Sequence, residues 1–148
     1  MIQRSASDAL DELAVQHAVL RELMERCEAL ADEVDIGMTG PAILVQAVAR
    51  LRIAFDEHNR FEEALLRPLL AARAEPAAPR MPDLPREVRI ARIVDDHVSQ
   101  HRAMRDSLDL GLTPGPTAAL RGVLGSLREH LAGEERTLLA HPLPRDDA

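Results

Sequence analysis

The chain has 148 residues, a formal net charge of −7 and an apolar fraction of 46%, and it contains two Phe but neither Trp nor Tyr. Ala, Leu, Val, Ile and Met make up nearly all of the apolar content, which favours helices over sheets. The acidic balance and the lack of a clustered basic face exclude nucleic acid from the expected partners.

The length predicts a single domain over residues 1–148. The N-terminal segment lacks the apolar core of a signal peptide, and no apolar run approaches the roughly 18 residues of a membrane span. We therefore expect a cytoplasmic protein without membrane contact.

The first predicted helix covers residues 8–34, where apolar residues recur at alternating steps of three and four. His17 stands in this apolar stripe at a position where a Leu would be expected. A short turn over 35–40 ends the helix. Pro41 then begins a second helix at a position that tolerates its missing N–H.

The second helix is predicted over 41–70, and its inward stripe contains His58 and Glu62. Pro68 is expected to end or kink the last turn of this helix. A Pro-rich loop over 71–85 follows, and it is longer than a bundle connection usually needs.

The third helix, predicted over 85–110, places His97 and His101 one turn apart at positions where core residues are expected. The fourth helix, predicted over 116–140, contains His130 and Glu134. Residues four apart lie about 40° apart around a helix, so each such pair shares one face.

Four helices with three connections most simply form an all-α, antiparallel up-down-up-down four-helix bundle. With a rise of about 1.5 Å per residue, one histidine of each helix lies about 14 to 16 Å from the same end. These residues are His17, His58, His97 and His130. Glu62, His101 and Glu134 lie within about one turn of that level.

Five imidazoles and two carboxylates buried without a compensating charge would cost on the order of several kcal/mol per group, so the pattern predicts a metal. Zinc usually takes four ligands, whereas this set suits two roughly octahedral irons. If both carboxylates and an oxo or hydroxo group bridge the irons, one coordination position stays open. A ferritin-like site is not expected, because no histidine here has a Glu three residues before it.

The internal repeat predicts where the open position lies. Aligning the two halves of the chain places Leu13 opposite His97, and Leu cannot bind a metal. One iron is therefore expected to hold His97, His101 and His130, and the other, with the open position, His17 and His58.

The order of these residues resembles the hemerythrin family, specifically its hemerythrin-like (HHE) cation-binding domains. The pattern is a lone His, then His-x-x-x-Glu, His-x-x-x-His and His-x-x-x-Glu-Glu on successive helices, over essentially the whole chain. The resemblance implies a four-helix bundle with a bridged non-haem di-iron centre that binds oxygen or a similar small ligand. The oxygen-carrying members have their last carboxylate, an Asp, five residues after the histidine.

This chain offers Glu134 four residues after His130 and Glu135 five residues after it. An i+4 residue lies about 40° from His130, whereas an i+5 residue lies about 140° away unless the helix bulges. We therefore predict that Glu134 bridges the irons and that Glu135 is a surface residue.

Gly133, between the two ligands of the fourth helix, allows two interpretations. Close helix packing is one, since Gly122 and Gly125 on the same helix also look like contact points. The other is an opening for solvent or a larger ligand. His141, which precedes a proline, is expected at the surface or as a cap.

Two classes of function fit such a centre. The first is reversible binding or sensing of O2 or NO at the five-coordinate iron. The second is a redox enzyme that turns over peroxide or NO, or that delivers iron for Fe–S repair; structural iron binding is a third possibility. The sequence supplies no nucleophile, phosphate loop or other cofactor motif, so binding or sensing is favoured.

Overall fold

The computed structural model describes residues 6–72 and 85–139, and within them it contains four long helices and no strand. The helices are α1 (Ala6–Asp35), α2 (Pro41–Ala72), α3 (Arg86–Asp109) and α4 (Thr117–Glu134). Successive helices pack against each other, and α1 also packs against α4, which closes the bundle. The predicted all-α, antiparallel four-helix fold is confirmed.

A tight turn built on Gly37 separates α1 from α2. Gly37 has a φ of 75°, a left-handed conformation that glycine adopts without strain. Its N–H donates to the Val34 carbonyl at 3.1 Å, and the Met38 N–H donates to the Glu33 carbonyl at 2.9 Å. This pattern is a Schellman motif, which ends α1 and allows Pro41 to begin α2 three residues later.

Pro68 does not end α2, because the helix continues from it to Ala72. The proline is exposed and removes one backbone hydrogen bond, but Leu66, Leu69 and Leu70 around it are all buried. Burial of these leucines keeps this turn helical. The rest of the predicted Pro-rich loop, residues 73–84, lies outside the described residues, as does His141.

The fourth helix continues to Leu139, near its predicted end, but its last turn is not α-helical. The α-helical part stops at Glu134, and Glu135–Leu139 continue it as a π-helical turn. At the other end of the bundle, a short 3₁₀ turn over Leu110–Leu112 leads from α3 toward α4.

Two separate apolar clusters form the core of the bundle. The larger one extends from the α1–α2 turn to about the middle of the helices and includes Met24, Val48, Phe55 and Leu124. The smaller one joins the end of α2 to the start of α3 through Leu66, Leu70 and Ile90. A layer of histidine and glutamate side chains lies between these clusters.

Candidate metal centre

All seven predicted ligand side chains meet in this layer. They are His17 from α1, His58 and Glu62 from α2, His97 and His101 from α3, and His130 and Glu134 from α4. The His97 side chain is 15% exposed, and each of the others is at most 5% exposed. Their ligand atoms form two groups, each with all its atoms within 4.8 Å of one another: His97, His101, His130 and Glu134; and His17, His58, Glu62 and Glu134.

Glu134 contacts both groups of histidines through different oxygens. Its Oε2 atom lies 3.2 Å from His17 Nε2 and 3.5 Å from His58 Nε2. Its Oε1 atom lies 3.5 Å from His101 Nε2, 3.7 Å from His97 Nε2 and in contact with His130 Nε2. One carboxylate therefore spans the space between the two groups.

Glu62 divides its two oxygens in the same way. Its Oε2 atom lies 2.9 Å from His58 Nε2. Its Oε1 atom contacts His97 Nε2 and lies 3.7 Å from His101 Nε2. Both carboxylates are thus arranged as bridging ligands of a two-metal site would be.

In three of the histidines, the outer ring nitrogen, Nδ1, is hydrogen-bonded to a side chain from a neighbouring helix. In each case Nδ1–H donates to an oxygen acceptor, which leaves Nε2 as the ring nitrogen that faces inward. The pairs are His58 with Gln16 at 2.9 Å, His101 with Glu63 at 3.1 Å and His17 with Glu135 at 3.3 Å.

The structure corrects the expected position of Glu135. Its side chain is 33% exposed and lies between α4 and α1, where it also accepts two hydrogen bonds from the Arg21 guanidinium. This pairing with Arg21 lowers the pKa of the Glu135 carboxyl. The π-helical turn begins at Glu135, so the ideal α-helical angle used for the prediction does not apply there.

Several buried polar atoms of these residues lack a hydrogen-bond partner, which indicates whether the residues suit a metal. Among the described residues, five such atoms belong to the predicted ligands: His58 Nε2, Glu62 Oε2, His101 Nε2, His130 Nε2 and Glu134 Oε1. They approach one another closely but without hydrogen-bond geometry. Imidazole nitrogens and carboxylate oxygens directed at a shared space are a donor set that iron accepts, so the residues fit a metal.

The family comparison agrees with this arrangement. The model of the hemerythrin HHE cation-binding domain matches residues 8–141. The chain belongs to this hemerythrin family. Neither the comparison with curated proteins nor the comparison with solved structures gives a match. Across residues 6–72 and 85–139, no helix combines the length and apolarity that crossing a membrane requires.

The electrostatics of this hemerythrin-family centre couple its histidines to its carboxylates. Burial opposes protonation of His58, but the nearby Glu134 and Glu62 carboxylates outweigh it and raise the His58 pKa to about 9. Burial likewise opposes ionisation of Glu134, yet His101, His130, His17 and His58 together hold its pKa far below the usual range. Without a metal, a proton on His58 therefore helps to balance the buried carboxylates, and a metal bound there must displace it.

A cleft of about 380 Å³ leads from the surface to one side of the centre. It is lined by Leu66, Leu70, Ile93, Asp96, His97, Gln100, Glu129, His130, Gly133, Glu134 and Thr137. His17 and His58, where the sequence predicts the open coordination position, do not line it and are only 2% and 1% exposed. The cleft and the predicted open position therefore lie at different histidine groups.

The glycines of α4 are not sites of close helix packing. Among the described residues, a Cβ atom built on Gly122 or Gly125 would have no neighbour within 4 Å, and one built on Gly133 would meet only Arg136 Nη2 at 3.8 Å. The packing interpretation is therefore wrong. Gly133 lines the cleft, which agrees with the alternative interpretation that it leaves an opening.

Proposed function

We propose that the chain is a non-haem di-iron protein that binds or senses O2 or NO. The observation that carries this proposal is the division of oxygens in Glu62 and Glu134, each of which faces both histidine groups. A single ion does not need two carboxylates that span two groups. Two irons, with an oxo or hydroxo bridge, match the ligand set.

Each iron has its own protein ligands. His97, His101 and His130 would hold one iron, His17 and His58 would hold the other, and Glu62 and Glu134 would be shared by both. Bound iron supplies electrons for reversible interaction with a small diatomic ligand. The chain fixes the inward Nε2 atoms through Gln16, Glu63 and Glu135.

The surroundings of His17 and His58 favour binding over catalysis of larger substrates. Both rings are almost fully buried, and Leu13, one turn before His17, is 1% exposed and offers no ligand atom. The site next to these two histidines is thus short of one ligand and shielded from solvent. A diatomic molecule suits such a space better than a larger substrate does.

Iron analysis and an anaerobic titration together test this function. Protein purified with iron supplied should contain about two irons per chain. Addition of O2 or NO to the reduced protein should give a reversible adduct with a distinct optical spectrum. One zinc per chain without iron, or a reduced di-iron protein that forms no adduct with either gas, contradicts the proposal.

A di-iron redox enzyme is the second candidate function. The observation that favours it is the cleft, because it connects His97 and Glu134 with solvent. Peroxide turnover, or iron delivery for Fe–S repair, would require such a connection. Irreversible oxidation by O2, together with multiple turnovers of peroxide or NO, would support this candidate over binding or sensing.

A further inference from the structure

The cleft beside Gly133 has an inner end and an outer end of different character. At the inner end, His130 Nε2 and Glu134 Oε1 are buried and have no hydrogen-bond partner. At the outer end, the exposed carboxylates Asp96 of α3 and Glu129 of α4 lie on the two helices that flank the cleft. Within the described residues, neither of these two carboxylates forms an ion pair.

The volume and position of the cleft do not match the needs of a diatomic ligand. A space of about 380 Å³ is far larger than O2 or NO. It also ends at His97, His130 and Glu134, whereas the predicted open coordination position belongs to His17 and His58. We therefore expect the cleft to admit something other than a diatomic ligand, or to have a role other than gas binding.

The charge of the cleft favours cations. Asp96 and Glu129 at its mouth are both acidic, and a patch with one sign of charge raises the local concentration of the opposite ion. Among the residues that the structure describes, the cleft lining contains no Lys or Arg. The Arg136 guanidinium lies 3.8 Å from where a Cβ atom of Gly133 would be, and its positive charge reduces this attraction.

Resting on the proposed di-iron function, we infer that this cleft is the route by which divalent metal ions reach the centre. Asp96 and Glu129 attract the hydrated cation, and Gly133, which has no side chain, leaves room for it to pass. Glu134 and His97 then receive the ion, because they both line the cleft and belong to the ligand set. Transfer toward His17 and His58 follows through Glu134, whose other oxygen faces them.

Metal uptake by the metal-free chain tests this route. Co²⁺ is mixed with apo-protein anaerobically, and its visible absorption is followed in a stopped-flow instrument. The double variant Asp96→Asn, Glu129→Gln should take up Co²⁺ about tenfold more slowly at low ionic strength, with an unchanged final stoichiometry. The difference should shrink strongly at high salt, because exposed charges are then screened.

Three further variants separate charge from space. Asp95→Asn removes a neighbouring exposed charge that does not line the cleft, so it should load at the wild-type rate. Arg136→Gln should load faster than wild type. Gly133→Leu fills the cleft and should slow uptake at every salt concentration.

Two outcomes overturn the inference in distinguishable ways. Wild-type loading rates in both the double variant and Gly133→Leu contradict the route while leaving the proposed function intact. A wild-type chain that takes up no Co²⁺ and no Fe²⁺ contradicts the proposed function together with the route.

Discussion

The residues that hold the outer nitrogens of the histidines are sequence neighbours of the ligands themselves. Gln16 precedes His17, Glu63 follows Glu62 and Glu135 follows Glu134. A neighbouring residue lies about 100° around the helix, so it points sideways toward the adjacent helix. Each of the three holds a ring on a different helix from its own. A polar residue next to a predicted ligand was the sequence signal for these positions.

Glu134 and Glu135 should respond differently to neutralisation. Glu134→Gln removes a buried anion that contacts both histidine groups, so we expect loss of at least one iron per chain. Glu135→Gln keeps an oxygen acceptor for His17 Nδ1 and should retain both irons, with at most a small shift of the optical spectrum. Iron analysis and absorption spectra check both variants. Loss of iron from Glu135→Gln alone would reverse the assignment.

The raised pKa of His58 makes the stability of the metal-free chain depend on pH. The His58 pKa is about 9 in the folded chain and 6.5 in the reference state, so its contribution to stability is fully present below about pH 6.5. That contribution should be lost as pH rises through about 9, at up to about 1.4 kcal/mol per pH unit. His97, whose pKa is also raised, adds to the same trend. Urea unfolding of the metal-free protein between pH 6 and 10 measures this change in the free energy of unfolding.

Few other side chains of this protein titrate in the same alkaline range. The chain contains no Lys and no Tyr, and burial raises the pKa of the Cys27 thiol to about 11. His58→Gln is the matched control, and it should show a weaker decline. A metal-free chain that becomes more stable between pH 7 and 9 would contradict the ionic pairing of His58 with the carboxylates.

At the level of helices, periodicity predicted the elements but not their local irregularities. The apolar stripes indicated four helices because burial of one face determines where a helix packs. Pro68 within α2 and the π-helical turn after Glu134 could not be predicted in this way. Both depend on tertiary contacts: the buried leucines around Pro68, and the contact of Glu135 with Arg21 on α1.

Two glycines outside the centre provide an element-level prediction. Gly125→Ala, in open space on α4, should raise the free energy of unfolding by about 0.5–1 kcal/mol, because alanine restricts the unfolded chain and favours the helix. Gly111→Ala should lower it by about 1–3 kcal/mol, since its Cβ would lie 2.9 Å from a methyl of the buried Val48. Urea unfolding of the iron-loaded variants measures both changes. Equal effects of the two substitutions would contradict the described packing.

For the whole molecule, the meeting of the seven side chains could be predicted because helix rise is nearly constant. Equal distances of His17, His58, His97 and His130 from one end follow directly from residue counts. The division of oxygens in Glu62 and Glu134 could not be predicted, since it depends on how each helix is rotated and on side-chain rotamers. The cleft could not be predicted from the sequence either, because it depends on the spacing between helices.

The histidine layer separates the larger apolar cluster from the small one formed by Leu66, Leu70 and Ile90. A small cluster cannot hold helix ends together by itself, so its order should depend on the proposed irons, which would crosslink the helices next to it. Removing the metal should therefore expose the backbone amides at the end of α2 and the start of α3 to rapid hydrogen–deuterium exchange. Amides around Phe55 and Leu124 should stay protected in the same sample. Mass spectrometry of the apo and iron-loaded chains would show this, and a uniform loss of protection would instead indicate one cooperative unit.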